Sequence, residues 1–331
     1  VAAVLGLDVG GTKVAVGPVD PGGTRLAAPL VESTRAKSRD AFLSGLQATL
    51  RHALVEFAAF RPQAVGVACA GTIDADRGVV VASPNLPLQE VPLGAILENA
   101  LHLPVFLEND VNAAVRGEVA GGAAAGLRHV VMLTLGTGVG GGLWLDGKVY
   151  RGAGGGAGEL GHMVVRAGGL PCPCGSHGCL EMYASGRALV RYAAARAGKA
   201  AVDPAGSLAK LEEEGKLTGG AVTRLARAGY PGALEAVDEL ARWLGVGLVN
   251  ISNAFDPEMI VVGGGVGELR ELLLEPAGKV MRKYAMAPGR ERVKIAAAEL
   301  GNHAGLVGGA LAAWDRLAGR GRPGAPAATG E

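Results

Sequence analysis

Two stretches of this chain share one design, and that design limits the possible folds more than any other feature. Val4-Leu5-Gly6-Leu7-Asp8-Val9 reads as a buried strand, meets Gly10-Gly11-Thr12-Lys13, and resumes as a second strand at Val14-Ala15-Val16. Val130 to Leu135 repeats the buried strand, Gly136-Thr137-Gly138-Val139-Gly140-Gly141-Gly142 the glycine turn, and Leu143-Trp144-Leu145 the returning strand. A strand, a glycine turn and a strand running back make a hairpin. Its double occurrence suggests two related domains, each bringing one glycine hairpin. A chain of 331 residues is long enough for both.

The rest of the chain alternates strands with helices. Phe42, Leu46, Leu50, Leu54 and Phe57 recur at helical spacing between Asp40 and Phe60. Ala64 to Ala70 reads as a strand ending at Gly71-Thr72. Val105 to Leu107 is another, stopping at Glu108-Asn109-Asp110 before a helix from about Val111. A helix from Leu234 to Phe255 ends at Asp256-Pro257, where proline forbids continuation. Met259 to Val262 is a strand running into Gly263-Gly264-Gly265, and a last helix spans about Gly305 to Leu317. Such alternation predicts an α/β fold, whose ligands sit at the carboxyl ends of strands. Asp8, Gly71, Asp110, Thr137 and Gly263 all follow predicted strands and are expected to line one cleft between two domains. The expected division is a small α/β domain over 1–108, joined by the C-terminal helix at about 303–318, and a large α/β domain over 109–302. Residues 319–331, rich in Gly, Pro and Ala, are expected to be a disordered tail. Glu212-Glu213-Glu214 reads as a solvated helix face.

Charge narrows the partners. The formal net charge is +1, so no basic field exists to hold a nucleic acid or an anionic membrane. An anionic substrate would need local sites. No run of eighteen uncharged apolar residues marks a membrane span, and Val1 to Leu7 lacks the basic start and cleavage site of a signal peptide. Three of the four cysteines crowd one short segment, a spacing that favours metal over disulfides. The expected location is the cytoplasm.

Four constellations carry chemistry. In Asp8 to Lys13, glycine lets backbone N–H groups approach phosphate oxygens, Thr12 and Lys13 add donors, and the carboxylate before the turn suits Mg²⁺. An ordinary hairpin turn would use the same glycines. Leu135 to Gly142 is a second such loop. It is not a P-loop, because no Gly-Lys-Ser or Gly-Lys-Thr follows, and not a dinucleotide fingerprint, because the returning segment is a strand. In Glu108-Asn109-Asp110, Asp110 is a candidate to orient an alcohol's hydroxyl in phosphoryl transfer and accept its proton, with the Asn109 amide on another hydroxyl. Aspartate at that junction is also a common helix cap. Finally, Cys172, Cys174 and Cys179 with one imidazole, His162 or His177, make a closed tetrahedral zinc set, which is structural rather than catalytic. Glu159 and Glu181 flank it as candidates to grip sugar hydroxyls. Cys69 reads as a small core residue.

On these residues the chain resembles the ROK family of bacterial sugar kinases and sugar-responsive repressors, from Leu5 to about Leu317. Asp8 to Lys13 resembles the family's first phosphate motif and Leu135 to Gly142 its second. Glu159 to His162 with Cys172 to Glu181 resembles its signature and zinc motif, and Val261 to Gly265 its adenosine-side loop. Asp110 falls where the family keeps its catalytic base. The resemblance implies an actin-like, ribonuclease-H-like pair of domains closing over ATP and sugar. It implies sugar contacts from Gly71, Asn85, Asn109, Asp110, Glu159, His162 and Glu181. It implies nucleotide and Mg²⁺ contacts from Asp8, Gly10, Gly11, Thr12, Lys13, Thr137, Gly138, Gly263, Gly264 and Gly265. It favours His162 as the fourth zinc ligand, its other ring nitrogen near the sugar, and a homodimer or homotetramer. Within the family the chain is similar to the glucokinases, notably in Ser83-Pro84-Asn85-Leu86-Pro87 and Glu181-Met182-Tyr183-Ala184-Ser185. Leu88-Gln89-Glu90 stands where many relatives carry an aromatic. The implied reaction is transfer from ATP to the 6-hydroxyl of glucose, with N-acetylmannosamine, N-acetylglucosamine, mannose and fructose as alternative acceptors. A repressor is disfavoured because such relatives place a helix-turn-helix before the first phosphate motif, here at Asp8. A chaperone-like ATPase is disfavoured by the sugar-side residues and the zinc loop.

Overall fold

The computed structural model describes residues 2–34 and 38–319. The expected tail therefore lies, past residue 319, outside the described residues. Its strands are β1 (Ala3–Val9), β2 (Lys13–Val19), β3 (Leu30–Ser33), β4 (Pro62–Cys69), β5 (Thr72–Asp74), β6 (Val79–Ala82), β7 (Gln89–Val91), β8 (Val105–Asn109), β9 (Val130–Leu135), β10 (Val139–Leu145), β11 (Lys148–Val149), β12 (Met259–Gly263) and β13 (Lys294–Ala297). Its helices are α1 (Arg39–Glu56), α2 (Leu93–Leu101), α3 (Asp110–Gly121), α4 (Glu181–Ala184), α5 (Gly186–Ala194), α6 (Ser207–Glu213), α7 (Gly219–Arg227), α8 (Pro231–Phe255), α9 (Glu271–Tyr284), α10 (Gly289–Arg292) and α11 (Ala304–Leu317). The chain divides into two compact units. The first takes residues up to Gly126, then Arg151–Ala157, then Asn302 onward; the second takes Leu127–Tyr150 and Gly158–Gly301.

The first unit is built on a sheet ordered β3-β2-β1-β4-β8, antiparallel from β3 to β1 and parallel from β1 to β8. Side chains alternate across a strand, so β1 serves two faces. Leu5, Leu7 and Val9 join a core with Phe42, Leu46 and Leu50 of α1 and Leu93 and Leu97 of α2. Gly6 and Asp8 fall on the other face, against α11. A Cβ at Gly6 would overlap the Leu306 carbonyl, and one at Gly66 of β4 would overlap the Gly309 backbone. Helix α3 packs on α11 just as closely: a Cβ at Gly308 would collide with the backbone of Ala113. This packing carries α3 into the first unit, which runs to Gly126 and not to the boundary at 108 expected from the sequence. A small antiparallel sheet, β5-β6-β7, completes the unit.

The second unit repeats the plan with the order β11-β10-β9-β12-β13 and the same antiparallel and parallel halves. The internal echo is thus a shared topology. One expectation needs correction: the glycine turn ends at Gly138, and Val139 to Gly142 already belong to β10. These glycines read as loop because glycine weakens a strand, yet one of them has a packing reason. A Cβ at Gly141 would overlap the Gly158 carbonyl, where the following loop lies on the strand. Helix α8 is the unit's central helix. It starts on Pro231 at a position where the missing N–H costs nothing, and it ends at Asp256 in the left-handed region, φ 43°. Its buried Leu240, Leu244, Leu248 and Ile251 each contribute about 1.5–3 kcal/mol by leaving water. Glu212, Glu213 and Glu214 are exposed, as a solvated face requires. Among the described residues no helix is long and apolar enough to cross a membrane.

Candidate active site

In the first unit three parallel strands end at one level. Asp8 pairs with Ala68, and Ala68 with Glu108, while Val9, Cys69 and Asn109 form the next row. The carboxyl ends therefore gather Asp8, Cys69 and the Asn109-Asp110 corner. Burial, then the negative charge of Asp110, push the Asp8 carboxyl up to about 7, against the pull of Lys13. Burial and the same two carboxylates push the Cys69 thiol up to about 12, so it stays a neutral core group. Helix α11 begins beside Asp8: a Cβ on Gly305 would lie 3.1 Å from its carboxylate oxygens. A helix N-terminus favours negative charge, so this contact eases ionisation that burial resists.

The cap of α3 is Asn109, not Asp110. Its Oδ1 accepts from Val111 N and Asn112 N, both at 3.0 Å. Its Nδ2 donates to the carbonyl of Gly71 and to Asp110 Oδ1, again at 3.0 Å. Asn109 is thus committed to holding its neighbours, and Asp110 opens the helix as a framed carboxylate. Gly71 sits at φ 120°, where a Cβ would overlap the Ala82 carbonyl, so only glycine fits. The first turn is pinned by Gly10 N donating to Lys13 O at 3.0 Å and Thr34 Oγ1 donating to Gly10 O at 3.0 Å. Gly11, Thr12 and Lys13 are exposed, and exposed Asn85 lies next to Gly11.

In the second unit the turn Gly136-Thr137-Gly138 is tied down from below. Gly186 N donates to Gly136 O at 2.8 Å, and Arg187 Nε donates to Thr137 O at 3.1 Å. Arg187 Nη2 also donates to Glu181 Oε1 at 2.9 Å, while Glu181 Oε2 accepts from Val139 N at 3.1 Å. Glu181 thus also braces the glycine turn. A cavity of about 640 Å³ opens beside the turn, lined among others by Gly136, Thr137, Arg187, Arg224, Arg227 and Gly265. Of the expected adenosine-side glycines, Gly263 ends β12 buried, Gly264 turns at φ 82° against Leu135, and Gly265 reaches the cavity. Three arginines and a glycine edge suit a phosphorylated ligand. The sequence reading missed Arg187, Arg224 and Arg227. Thr218, which caps α7 by accepting from Ala221 N, was the available signal that a helix end stood there.

The metal-type cluster also lies in the second unit. One ligand atom each from His162, Cys172, Cys174 and Cys179 falls within 4.8 Å of all the others. Nδ1 of His162 is 3.6 Å from Cys172 Sγ, and its Nε2 is 4.0 Å from Glu159 Oε2. His177 is exposed and stands outside this group. Burial and the two neighbouring thiols push Cys179 up to about 12. Three crowded thiols and one imidazole nitrogen are a donor set for a tetrahedral divalent cation, which would bind them as thiolates.

Comparison with known proteins agrees with these features. The ROK family profile matches residues 4–316, so the chain belongs to the ROK family. It is 40% identical over 312 residues to the glucokinase of Streptomyces coelicolor, covering 92% of this chain and 96% of that protein. The crystal structure of a ROK glucokinase from Streptomyces griseus, in complex with glucose and AMPPNP, superposes with a TM-score of 0.81 at 40% identity, covering 93% and 98% of the two chains. A ROK hexokinase from Thermus thermophilus gives 0.78 at 38%, covering 96% and 99%. The fold is accordingly the α/β, actin-like architecture of ROK sugar kinases, and the chain is a sugar kinase of that class.

Proposed function

We propose that this chain phosphorylates glucose at its 6-hydroxyl, with ATP as donor. The observation that carries the reading is the gathering of Asp8 and Asp110 at the ends of β1 and β8, near enough that the charge of Asp110 raises the Asp8 carboxyl. One carboxylate for a proton and one for a metal-bound phosphate is what transfer to an alcohol needs.

Asp110 orients the sugar hydroxyl and takes its proton. Asn109 holds Asp110 in place, and Gly71, Asn85, Glu159 and His162 position the sugar. N–H groups of Gly10 to Thr12 and of Gly136 to Gly138 meet phosphate oxygens, and Arg187, Arg224 and Arg227 hold the rest of the nucleotide. Such reactions depend on positioning and electrostatics, with little covalent work for the protein. Asp8 is the residue that would hold the Mg²⁺ accompanying ATP, which would supply neutralisation of phosphate charge. Cys172, Cys174, Cys179 and His162 would hold Zn²⁺, which would supply a structural cross-link for their loop. The other face of that imidazole is left toward Glu159, which fits a structural metal beside a sugar contact.

A coupled assay of ADP release with Mg-ATP tests the reading across glucose, mannose, fructose, N-acetylglucosamine and N-acetylmannosamine. Glucose should give the highest kcat/KM. A chain that releases no ADP in response to any hexose would overturn it.

A further inference from the structure

We propose that the ion pair between Arg151 and Glu108 is a positioning device for Asp110, an assignment that rests on Asp110 being the base. Glu108 stands two residues before Asp110, at the end of β8, with 2% of its side chain exposed. A carboxylate that deep is costly unless paired, and a buried pair adds little net stability over apolar side chains of similar size. Stability alone therefore does not account for it, whereas its partners point to a use.

Arg151 meets Glu108 with two prongs, Nε donating to Oε1 at 3.2 Å and Nη2 donating to Oε2. The same Oε1 accepts from Asn109 N at 3.2 Å and lies 3.5 Å from Asn112 Nδ2. One carboxylate thus ties the residue that caps α3 and the first turn of α3 to a single guanidinium. Asp110 lies between those two attachment points, its Oδ1 already accepting from Asn109 Nδ2 and Val111 N at 3.0 Å. The direction of Asp110 is therefore set through Asn109 and Glu108 by Arg151.

Arg151 is also the first residue of Arg151–Ala157, the short segment that the first unit takes between two stretches of the second. Ala157 N donates to Arg151 O at 3.0 Å, closing this segment on itself. A Cβ on Gly155 would lie 3.1 Å from the Ile73 carbonyl of β5, so the segment is seated on the first unit. Arg151 thereby fixes two things with one side chain: the frame of the base and the start of the segment that leads to Glu159. Lysine could keep the charge but not the fork.

The test compares Arg151→Lys, Arg151→Ala, Asp110→Asn and the double variant Asp110→Asn with Arg151→Lys. Steady-state kinetics with glucose and Mg-ATP are read beside thermal midpoints. Arg151→Lys should fold and lose about 10–100-fold in kcat, the loss expected when a reacting group is displaced by about 1 Å, while KM for glucose moves less than about threefold. Adding it to Asp110→Asn should cost nothing further, because the two act on one proton transfer. Arg151→Ala should lose more kcat than the lysine variant, and if it fails to fold the lysine variant decides alone. A lysine variant with a lowered midpoint and normal kcat per folded enzyme would reduce the pair to a structural contact and overturn the proposal. Additive losses in the double variant would overturn it too. Normal turnover in Asp110→Asn would remove the base assignment, and the positioning role with it. Normal turnover in Arg151→Lys alone, with Asp110→Asn inactive, would remove only the positioning role.

Discussion

The two glycine hairpins have one topology and opposite contents. Counting back from each turn, Asp8 pairs with Ala15 where Thr134 pairs with Gly140. The first hairpin thus carries a half-buried carboxylate where the second carries a hydroxyl. Behind the strands the contrast continues. Gly6 and Gly66 admit the backbone of α11, while the matching positions of the second sheet are Met132 and Val261, both buried side chains. One unit brings a helix end up to a charge, and the other pads its sheet and braces its turn with Glu181 and Arg187. Under the proposed function this scaffold divides the work: charge and proton handling at the first hairpin, nucleotide grip at the second.

The sharpest way to break this contrast is to swap its chemistry. Asp110→Asn should cut kcat by about 10²–10⁴ with glucose affinity by calorimetry nearly unchanged. Thr134→Val in the second hairpin should change kcat by less than about fivefold, since a lone hydroxyl contributes about 1 kcal/mol or less. Equal losses at both would erase the division.

A second measurement follows the pH dependence of stability. In the ligand-free chain Asp8 titrates at about 7, above the 3.8 of an ordinary aspartate, because of burial first and Asp110 second. Between those values the native chain keeps a proton that the unfolded chain has lost. Asp8 therefore lends stability below pH 3.8 that is gone above pH 7. Asp8→Asn should remove that slope, an effect on the order of a few kcal/mol in urea titrations at pH 5 and pH 8.

Packing gives the third test. Gly6→Ala sets a Cβ into the backbone of α11 and should cost about 3 kcal/mol in chemical unfolding. Met132→Leu at the matching position should cost less than about 1.5 kcal/mol. Two smaller effects concern the second unit alone. Cys174→Ser should lower metal content from about one zinc per chain, read by elemental analysis. It should also raise KM for glucose about tenfold by loosening the loop that holds Glu159. Arg187→Ala should raise KM for ATP by about 10-fold or more, the loss of a charged hydrogen bond of about 1.5 kcal/mol, with kcat little changed.

Much of this was legible in the residues. The β1-β2 hairpin, the strand Val130–Leu135 and the α8 stop at Asp256-Pro257 could all be read because apolar periodicity and turn residues act locally. The cysteine cluster was legible for the same reason, its three thiols lying within eight positions. What resisted reading depends on contacts far apart in sequence. Nothing in the order of residues says that Arg151 belongs to Glu108, or that Arg187 closes on Thr137. Gly140 to Gly142 looked like loop, and the packing reason that Gly141 has to be glycine lies far along the chain, at Gly158. The choice between His162 and His177 likewise needed three dimensions.

Helix α11 has a consequence for how the protein is made. It leaves the ribosome after every residue of the second unit, yet it fills the face of β1 and β4, which emerge near the start. The sheet translated first is therefore finished last, and a nascent chain must keep its glycine-floored groove vacant until Ala304 and the residues after it arrive. Chains that stall within the second unit should be caught by chaperones through that open groove, while β9 to β13 can already close on themselves.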